Sequence, residues 1–79
     1  MRKLFVGEAR CRALPARYYL LEEDAPGSYG VQIELEGEEA SVTGLSPSRK
    51  RVLALAEALV RGTVTPVALR DVVDDWLLK

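Results

Sequence analysis

One short segment constrains the fold of this chain more than any other, because its side chains alternate between apolar and polar. The apolar members are Tyr29, Val31, Ile33 and Leu35, and the residues between and after them are Gly30, Gln32, Glu34 and Glu36. A period of two places these sets on opposite faces of a β-strand. The segment therefore predicts a strand with one buried face, in a chain whose 79 residues allow a single domain.

Turn signals on both sides of this strand predict that the chain doubles back at each end. A glycine in first position makes Gly37-Glu38 suitable for a two-residue hairpin loop, which would set Ile33 opposite Val42. Pro26-Gly27 supplies the fixed φ and the conformational freedom that a tight type II turn needs. A two-residue loop there would set Ile33 opposite Leu20. Three strands would then share one apolar face.

Beyond residue 45 the apolar period changes to that of a helix. Ser46-Pro47 is typical of an N-cap followed by proline at the first helical position, and Thr65-Pro66 repeats the signal. Gly62 has the place of a glycine just after a helix end. The apolar stripes are Val52, Leu55, Ala56, Leu59 and Val60, and then Leu69, Val72, Val73, Trp76 and Leu77. These patterns predict helices over about 47–61 and 66–78.

Together these elements predict an α+β domain in which an antiparallel meander of three to four strands precedes a two-helix hairpin packed on one face, a ββββαα order. The strands are expected at about 2–12, 17–24, 28–36 and 39–45. Pro15 is expected to interrupt pairing between the first two, and the placement of the first strand is open. The residues expected beneath the helical stripes are Tyr18, Leu20, Val31, Ile33, Leu35 and Val42.

Composition excludes several kinds of site. Cys11 is the only cysteine and histidine is absent, so neither an internal disulfide nor a closed zinc site can form. Phosphate-binding loop motifs are missing, and no base is implied beside a nucleophile. We therefore predict a protein that is not an enzyme and uses no cofactor or metal. The lone cysteine and the absence of a long apolar stretch predict a cytoplasmic protein without a membrane anchor.

A basic run at the start of the first helix is one candidate site. Arg49, Lys50 and Arg51 oppose the positive end of the helix dipole unless an anion binds there. With Ser46 and Ser48 they form a candidate site for an anion, a phosphate or nucleic acid. The alternative is that these cations pair with the acidic strands or with the second helix.

The outer face of the second strand is the other candidate site. Tyr19 and Leu21 point away from the face that carries Tyr18 and Leu20, and one helical layer cannot cover both faces. Either the first strand folds over the outer face or another chain covers it. Together with the neighbouring Arg17, Tyr19 and Leu21 form the candidate protein interface.

These surfaces lead to two functional hypotheses. The first is a non-enzymatic protein-interaction or regulatory domain that binds another protein or itself, with a homodimer left open. The second is an anion or nucleic-acid binder that uses the basic helix start. Nucleic acid is not the expected partner, because the second helix carries Asp71, Asp74 and Asp75 and would repel phosphates.

Several short runs in the chain resemble a known family. They are Tyr18-Tyr19-Leu20-Leu21-Glu22-Glu23, Tyr29-Gly30-Val31, Ser46-Pro47, Thr65-Pro66 and Leu69-Arg70-Asp71-Val72-Val73-Asp74-Asp75-Trp76-Leu77. Over residues 18–77 the chain is similar to a family of short bacterial proteins described only as a domain of unknown function. The resemblance implies a bacterial, cytoplasmic protein, and it carries over no activity and no catalytic residues.

Overall fold

The computed structural model describes residues 1–24 and 28–78. Within these ranges the elements are β1 (Arg2–Cys11), β2 (Leu14–Glu22), β3 (Tyr29–Leu35), β4 (Glu38–Ser46), α1 (Arg49–Arg61) and α2 (Leu69–Leu77). The strands form one antiparallel sheet in the order β1-β2-β3-β4. The predicted α+β meander followed by two helices is confirmed. Neither described helix has the length and apolar character to cross a bilayer.

The pairing of β3 differs from the prediction by two residues on each side. Ile33 pairs with Ala40 rather than Val42, and with Tyr18 rather than Leu20. The β3–β4 loop is Glu36-Gly37, with Gly37 at φ +77, so the glycine supplies a left-handed conformation at the second loop position instead of the first. A shift of two residues keeps every side chain on its predicted face.

The loop between β2 and β3 is longer than two residues, because the last pair of these strands is Glu22 with Tyr29. The backbone N–H of Glu23 donates to the carbonyl of Ser28 at 3.2 Å, which closes this loop. The predicted turn at Pro26-Gly27 lies outside the described residues.

The core lies between the inner face of the sheet and the two helices. Of the six residues expected beneath the helical stripes, Tyr18, Leu20, Val31 and Ile33 are fully buried, and Leu35 and Val42 pack against the core while partly exposed. Helix α1 crosses all four strands, whereas α2 contacts β4. The helices bury Val52, Leu55, Ala56, Leu59, Leu69 and Val73 on this face, and Leu77 of the predicted stripe is exposed.

The first hairpin differs from the prediction because Pro15 does not interrupt pairing. β2 begins at Leu14, and Pro15 pairs with Arg10. Pro15 lies beyond the last pair of β2 with β3, near the strand end, where a missing N–H costs least. The loop is Arg12-Ala13, and both residues have positive φ, 53° and 69°. These are the signs of a type I′ turn, formed without the glycine or asparagine that such turns prefer.

Both helices begin later than predicted. The N-cap of α1 is Ser48, whose side-chain oxygen accepts from the Arg51 backbone N–H at 3.3 Å. Ser46 instead accepts from the Ser48 backbone N–H at 3.1 Å, one step before the helix. Thr65 likewise accepts from the Ala68 N–H and stabilises a turn, so that α2 starts at Leu69 rather than at residue 66. Two serines two positions apart can each cap, and local signals do not choose between them.

The left-handed residue at the end of α1 also lies one position later than predicted. Gly62 keeps a right-handed φ of −86°, and Thr63 takes the left-handed conformation with φ 49°. The Thr63 N–H donates to the Val60 carbonyl, and the Val64 N–H to the Leu59 carbonyl, each at 3.1 Å. This is the hydrogen-bond pattern of a Schellman motif, with threonine in the place usually held by glycine.

One buried tyrosine fixes this helix end to the sheet. The Tyr18 hydroxyl donates to the Val64 carbonyl at 2.8 Å. Burial raises the pKa of Tyr18, because the phenolate would be poorly solvated there. The core side of β2 is thus tied to the segment that joins α1 to α2.

Candidate protein-binding face and basic helix start

The face of the sheet opposite the helices, called here the outer face, is built by every second residue of each strand, except where β1 skips two residues between Phe5 and Glu8. Pairing places on it Lys3, Phe5, Glu8 and Arg10 of β1, Arg17, Tyr19 and Leu21 of β2, Gln32 and Glu34 of β3, and Glu39 and Ser41 of β4. The core residues of the same strands point to the helices. The outer face therefore presents aromatic and charged side chains to the surroundings.

Two aromatic rings meet on the β1–β2 side of this face. Phe5 and Tyr19 are cross-strand partners whose ring centroids are 5.8 Å apart, at an interplanar angle of 71°. This is the edge-to-face geometry that aromatic pairs prefer. Phe5 is 59% exposed, and Tyr19 is half-buried. The pair thus presents an exposed ring that is held in place by its neighbour.

Polar groups fix the position of Tyr19. Its hydroxyl donates to Glu34 at 3.2 Å, and the Gln32 amide donates to the same carboxylate at 2.9 Å. The Lys3 ammonium donates to Glu34 at 2.5 Å and lies 4.4 Å from the Tyr19 ring centroid. The hydrogen bond between Lys3 and Glu34 lowers the pKa of the carboxyl and raises the pKa of the ammonium. One carboxylate thus organises three side chains around the aromatic pair.

Phe5 and Lys3 were not among the predicted site residues, and the reason lies in β1. The run Leu4-Phe5-Val6 does not alternate, so its pattern does not assign a face to Phe5. Pairing shifts between Phe5 and Gly7, where β1 has a bulge. Leu4 and Val6 pack toward the core and Phe5 points outward, and the bulge that follows turns Ala9 toward the core and Glu8 outward.

Leu21 corrects one expectation about this face. Its side chain is only 2% exposed within the single chain, although it lies on the outer face between Lys3 and Gly30. The prediction that this leucine offers contact surface is therefore wrong. The first strand does not fold over the outer face but pairs beside β2 at the edge of the sheet, and Leu21 is buried within the single chain without a second chain.

Arg17 lies on the outer face as expected, and it is exposed. Its guanidinium lies 3.6 Å from the Glu8 carboxylate, and both side chains are about half exposed. An ion pair that is so open to water contributes little stability. Arg17 also lines an open groove of about 630 Å³, whose other charged residues are Glu34, Glu36, Glu38 and Glu39.

The predicted basic site at the start of α1 is engaged by the chain's own groups. The Arg49 guanidinium donates to Glu22 at 3.0 Å, and that of Arg51 lies 5.3 Å from the Trp76 ring centroid. Glu22 belongs to an acidic strand and Trp76 to the second helix, the two partners expected if these cations bind groups of the chain itself. Ser46 and Ser48 use their hydroxyl oxygens to cap backbone N–H groups, and Lys50 is exposed. The anion site stays a prediction, and an anion there would have to compete with Glu22.

The comparisons with known proteins identify a family and no function. A family model for a "Family of unknown function (DUF6514)" matches residues 4–79. The chain therefore belongs to this family, and the resemblance found in the sequence is confirmed. No curated protein and no solved structure matches the chain.

Proposed function

We propose that this member of the DUF6514 family is a non-enzymatic protein-interaction domain whose contact surface is the outer face of its sheet. The observation that carries the proposal is the exposed Phe5 ring packed edge-to-face on Tyr19, on a face turned away from both helices. Exposed aromatic side chains flanked by arginine are typical of the energetic centres of protein interfaces.

Order in the free chain supports this proposal. Binding costs free energy whenever a side chain must be fixed in the complex. Tyr19 is already held by its hydrogen bond to Glu34 and by the Lys3 ammonium near its ring. Phe5 has few rotatable bonds and rests against Tyr19. A partner would therefore meet a surface whose aromatic rings are already in position.

The charge of the outer face favours protein over nucleic acid. Glu34 lies beside Tyr19, and Glu8 lies beside Arg17, so a phosphate backbone would meet carboxylates next to each aromatic or basic group. A protein partner can instead offer cations to these carboxylates. The absence of histidine and the single cysteine in the sequence support a non-enzymatic role and a reducing, cytoplasmic location. The family resemblance supports a bacterial source.

Site-specific photo-crosslinking tests this function. A photoreactive phenylalanine analogue at Phe5 is expected to form a discrete protein adduct in the cytoplasm of the producing cell. The same analogue at Ala54, an exposed position of α1 on the other side of the molecule, is the matched control. Tyr19→Ser is expected to remove the adduct at position 5. Equal adducts at positions 5 and 54, or no adduct at position 5, would contradict the proposal.

Anion or phosphate binding at the basic helix start is the second candidate. Lys50 is exposed there, and the first turn of α1 holds no acidic residue. The Glu22 carboxylate already occupies Arg49, so Glu22→Gln is expected to strengthen binding of inorganic phosphate or an oligonucleotide if the site is real. Binding that does not weaken with salt, or that ignores Arg49→Ala, would remove this candidate.

A further inference from the structure

Opposite charges collect at the two hairpin tips at one end of the sheet. The β1–β2 tip and its adjoining strands carry Arg10, Arg12 and Arg17, and the β3–β4 tip carries Glu36, Glu38 and Glu39. Both tips lie at the same end, because Ala16 of β2 pairs with Leu35 at the end of β3. All six side chains are exposed. The molecule therefore has a basic and an acidic tip side by side, called here the basic tip and the acidic tip.

These two tips are not joined by ion pairs in the described part of the chain. Among residues 1–24 and 28–78, no ion pair joins an arginine of the basic tip to a carboxylate of the acidic tip. Arg17 pairs with Glu8, and Arg10 donates to the Ala13 carbonyl at 3.3 Å. The open groove of about 630 Å³ is lined by Arg17 and by the three glutamates of the acidic tip. It offers room for cations from outside the chain.

A two-fold axis would bring these tips together between two copies. Consider two outer faces in contact, related by an axis that runs parallel to the strands. Such an axis reverses the strand order, so that β1 of one copy lies over β4 of the other, and it keeps the hairpin tips at the same end. The basic tip of each copy then lies over the acidic tip of its partner, and the contact is made twice. An axis across the strands would place β1 over β1 and lose this match.

We infer that the partner bound by the outer face is a second copy of this chain, packed about a two-fold axis parallel to the strands. The inference rests on the proposed function and names its partner. The Phe5–Tyr19 pair of each copy then lies over β3 and β4 of the other copy and supplies apolar contact, and the basic and acidic tips supply charged contacts at one end of the interface. Interfaces usually combine apolar contacts with charged contacts at the rim, and charge complementarity selects the orientation.

The size of the outer face agrees with this arrangement. Four strands about 4.8 Å apart, each with about nine residues rising about 3.3 Å, span about 19 by 30 Å. A standard interface takes about 800 Å² from each partner, about one sixth of the 4921 Å² accessible surface of the chain. A corrugated face of these dimensions supplies an area of that order, and face-to-face contact of two sheets is a common packing mode.

Charge reversal of each tip tests the inference. Arg10→Glu/Arg17→Glu turns the basic tip acidic, and Glu36→Arg/Glu39→Arg turns the acidic tip basic. Light scattering should find the wild type at twice its 8.7 kDa chain mass. Each variant alone is expected to dissociate at least about 100-fold more readily, because like charges then face each other. An equimolar mixture of the two variants is expected to recover the dimer, since opposite charges face each other again.

Two control variants carry the same changes in net charge on the helix side. They are Arg61→Glu/Arg70→Glu and Glu57→Arg/Asp74→Arg, all at exposed positions. They are expected to leave the wild-type mass unchanged and to show no preference for each other. Neither tip variant touches the Lys3–Glu34 hydrogen bond. Circular dichroism of each variant confirms that the fold is kept before its mass is interpreted.

Three outcomes would overturn the inference. A wild-type chain that stays monomeric up to about 1 mM shows that the partner is not a second copy. A dimer that ignores both tip variants uses another surface. A mixture of the tip variants that stays monomeric contradicts the orientation of the axis. If the wild type is monomeric but the analogue at Phe5 still traps another protein, the proposed function stands and only this inference fails.

Discussion

Tyr18 and Tyr19 are neighbours in the chain, but they serve opposite faces of one strand. Tyr18 is fully buried, and its hydroxyl donates to the Val64 carbonyl between the helices. Tyr19 is half-buried, and its hydroxyl donates to the Glu34 carboxylate on the outer face. Both phenols are satisfied, so the difference lies in what surrounds the ring. Tyr18 therefore contributes to the core, and Tyr19 contributes to the outer face.

The largest difference in stability is expected between variants that lack the Tyr18 ring and variants that lack the Tyr19 ring. Tyr18→Ala is expected to lower the free energy of unfolding by about 3–5 kcal/mol, because it leaves a cavity beneath α1 and deprives the half-buried Val64 carbonyl of its donor. Tyr19→Ala is expected to cost about 1 kcal/mol, mainly through loss of its aromatic partner. Urea denaturation measures both. Equal losses would contradict the division of roles between the two faces.

A smaller change in stability is expected at the end of α1, next to the Val64 carbonyl that Tyr18 binds. Thr63 holds the left-handed conformation of the Schellman motif, which costs a β-branched residue conformational energy. Thr63→Gly is expected to raise the free energy of unfolding by about 0.5–1 kcal/mol, since glycine adopts this conformation without strain. Thr63→Ala is the matched control, because it keeps a Cβ. If thermal unfolding shows alanine to stabilise as much as glycine, backbone strain is not the cause.

The smallest effect concerns the outer face and its dependence on pH. The folded state lowers the pKa of Glu34 through its hydrogen bond with Lys3. A carboxyl with a lowered pKa stabilises the fold above its unfolded pKa, and this contribution is lost as the pH falls through the folded pKa. Lys3→Met should therefore destabilise the chain near pH 7, and the difference from wild type should shrink in acid. Both side chains are solvent-accessible, so the difference is small and weakens with salt. Denaturant titrations between pH 7 and 3 measure it, and a difference that does not change with pH would contradict the role of Glu34.

Much of the candidate site could be predicted from alternation alone. Period two in β3 and the strand propensity of β2 place Tyr18 inward and Tyr19 and Arg17 outward, as found. These faces survive an error of two residues in register, because an even shift preserves side-chain direction. Leu21 could not be assessed in this way. Its direction was predicted correctly, but its burial depends on neighbouring strands.

The order of the elements, their type and the face of most side chains follow from the sequence alone, because period, turn residues and caps act over a few positions. Tertiary packing decided the rest. It selected Arg12-Ala13 as a turn despite two positive φ angles, and it moved the left-handed residue after α1 from Gly62 to Thr63. It also placed a bulge in β1 after Phe5, which turned Ala9 toward the core and Glu8 outward. Each left-handed residue costs about 1–2 kcal/mol, which burial of the shared core readily offsets.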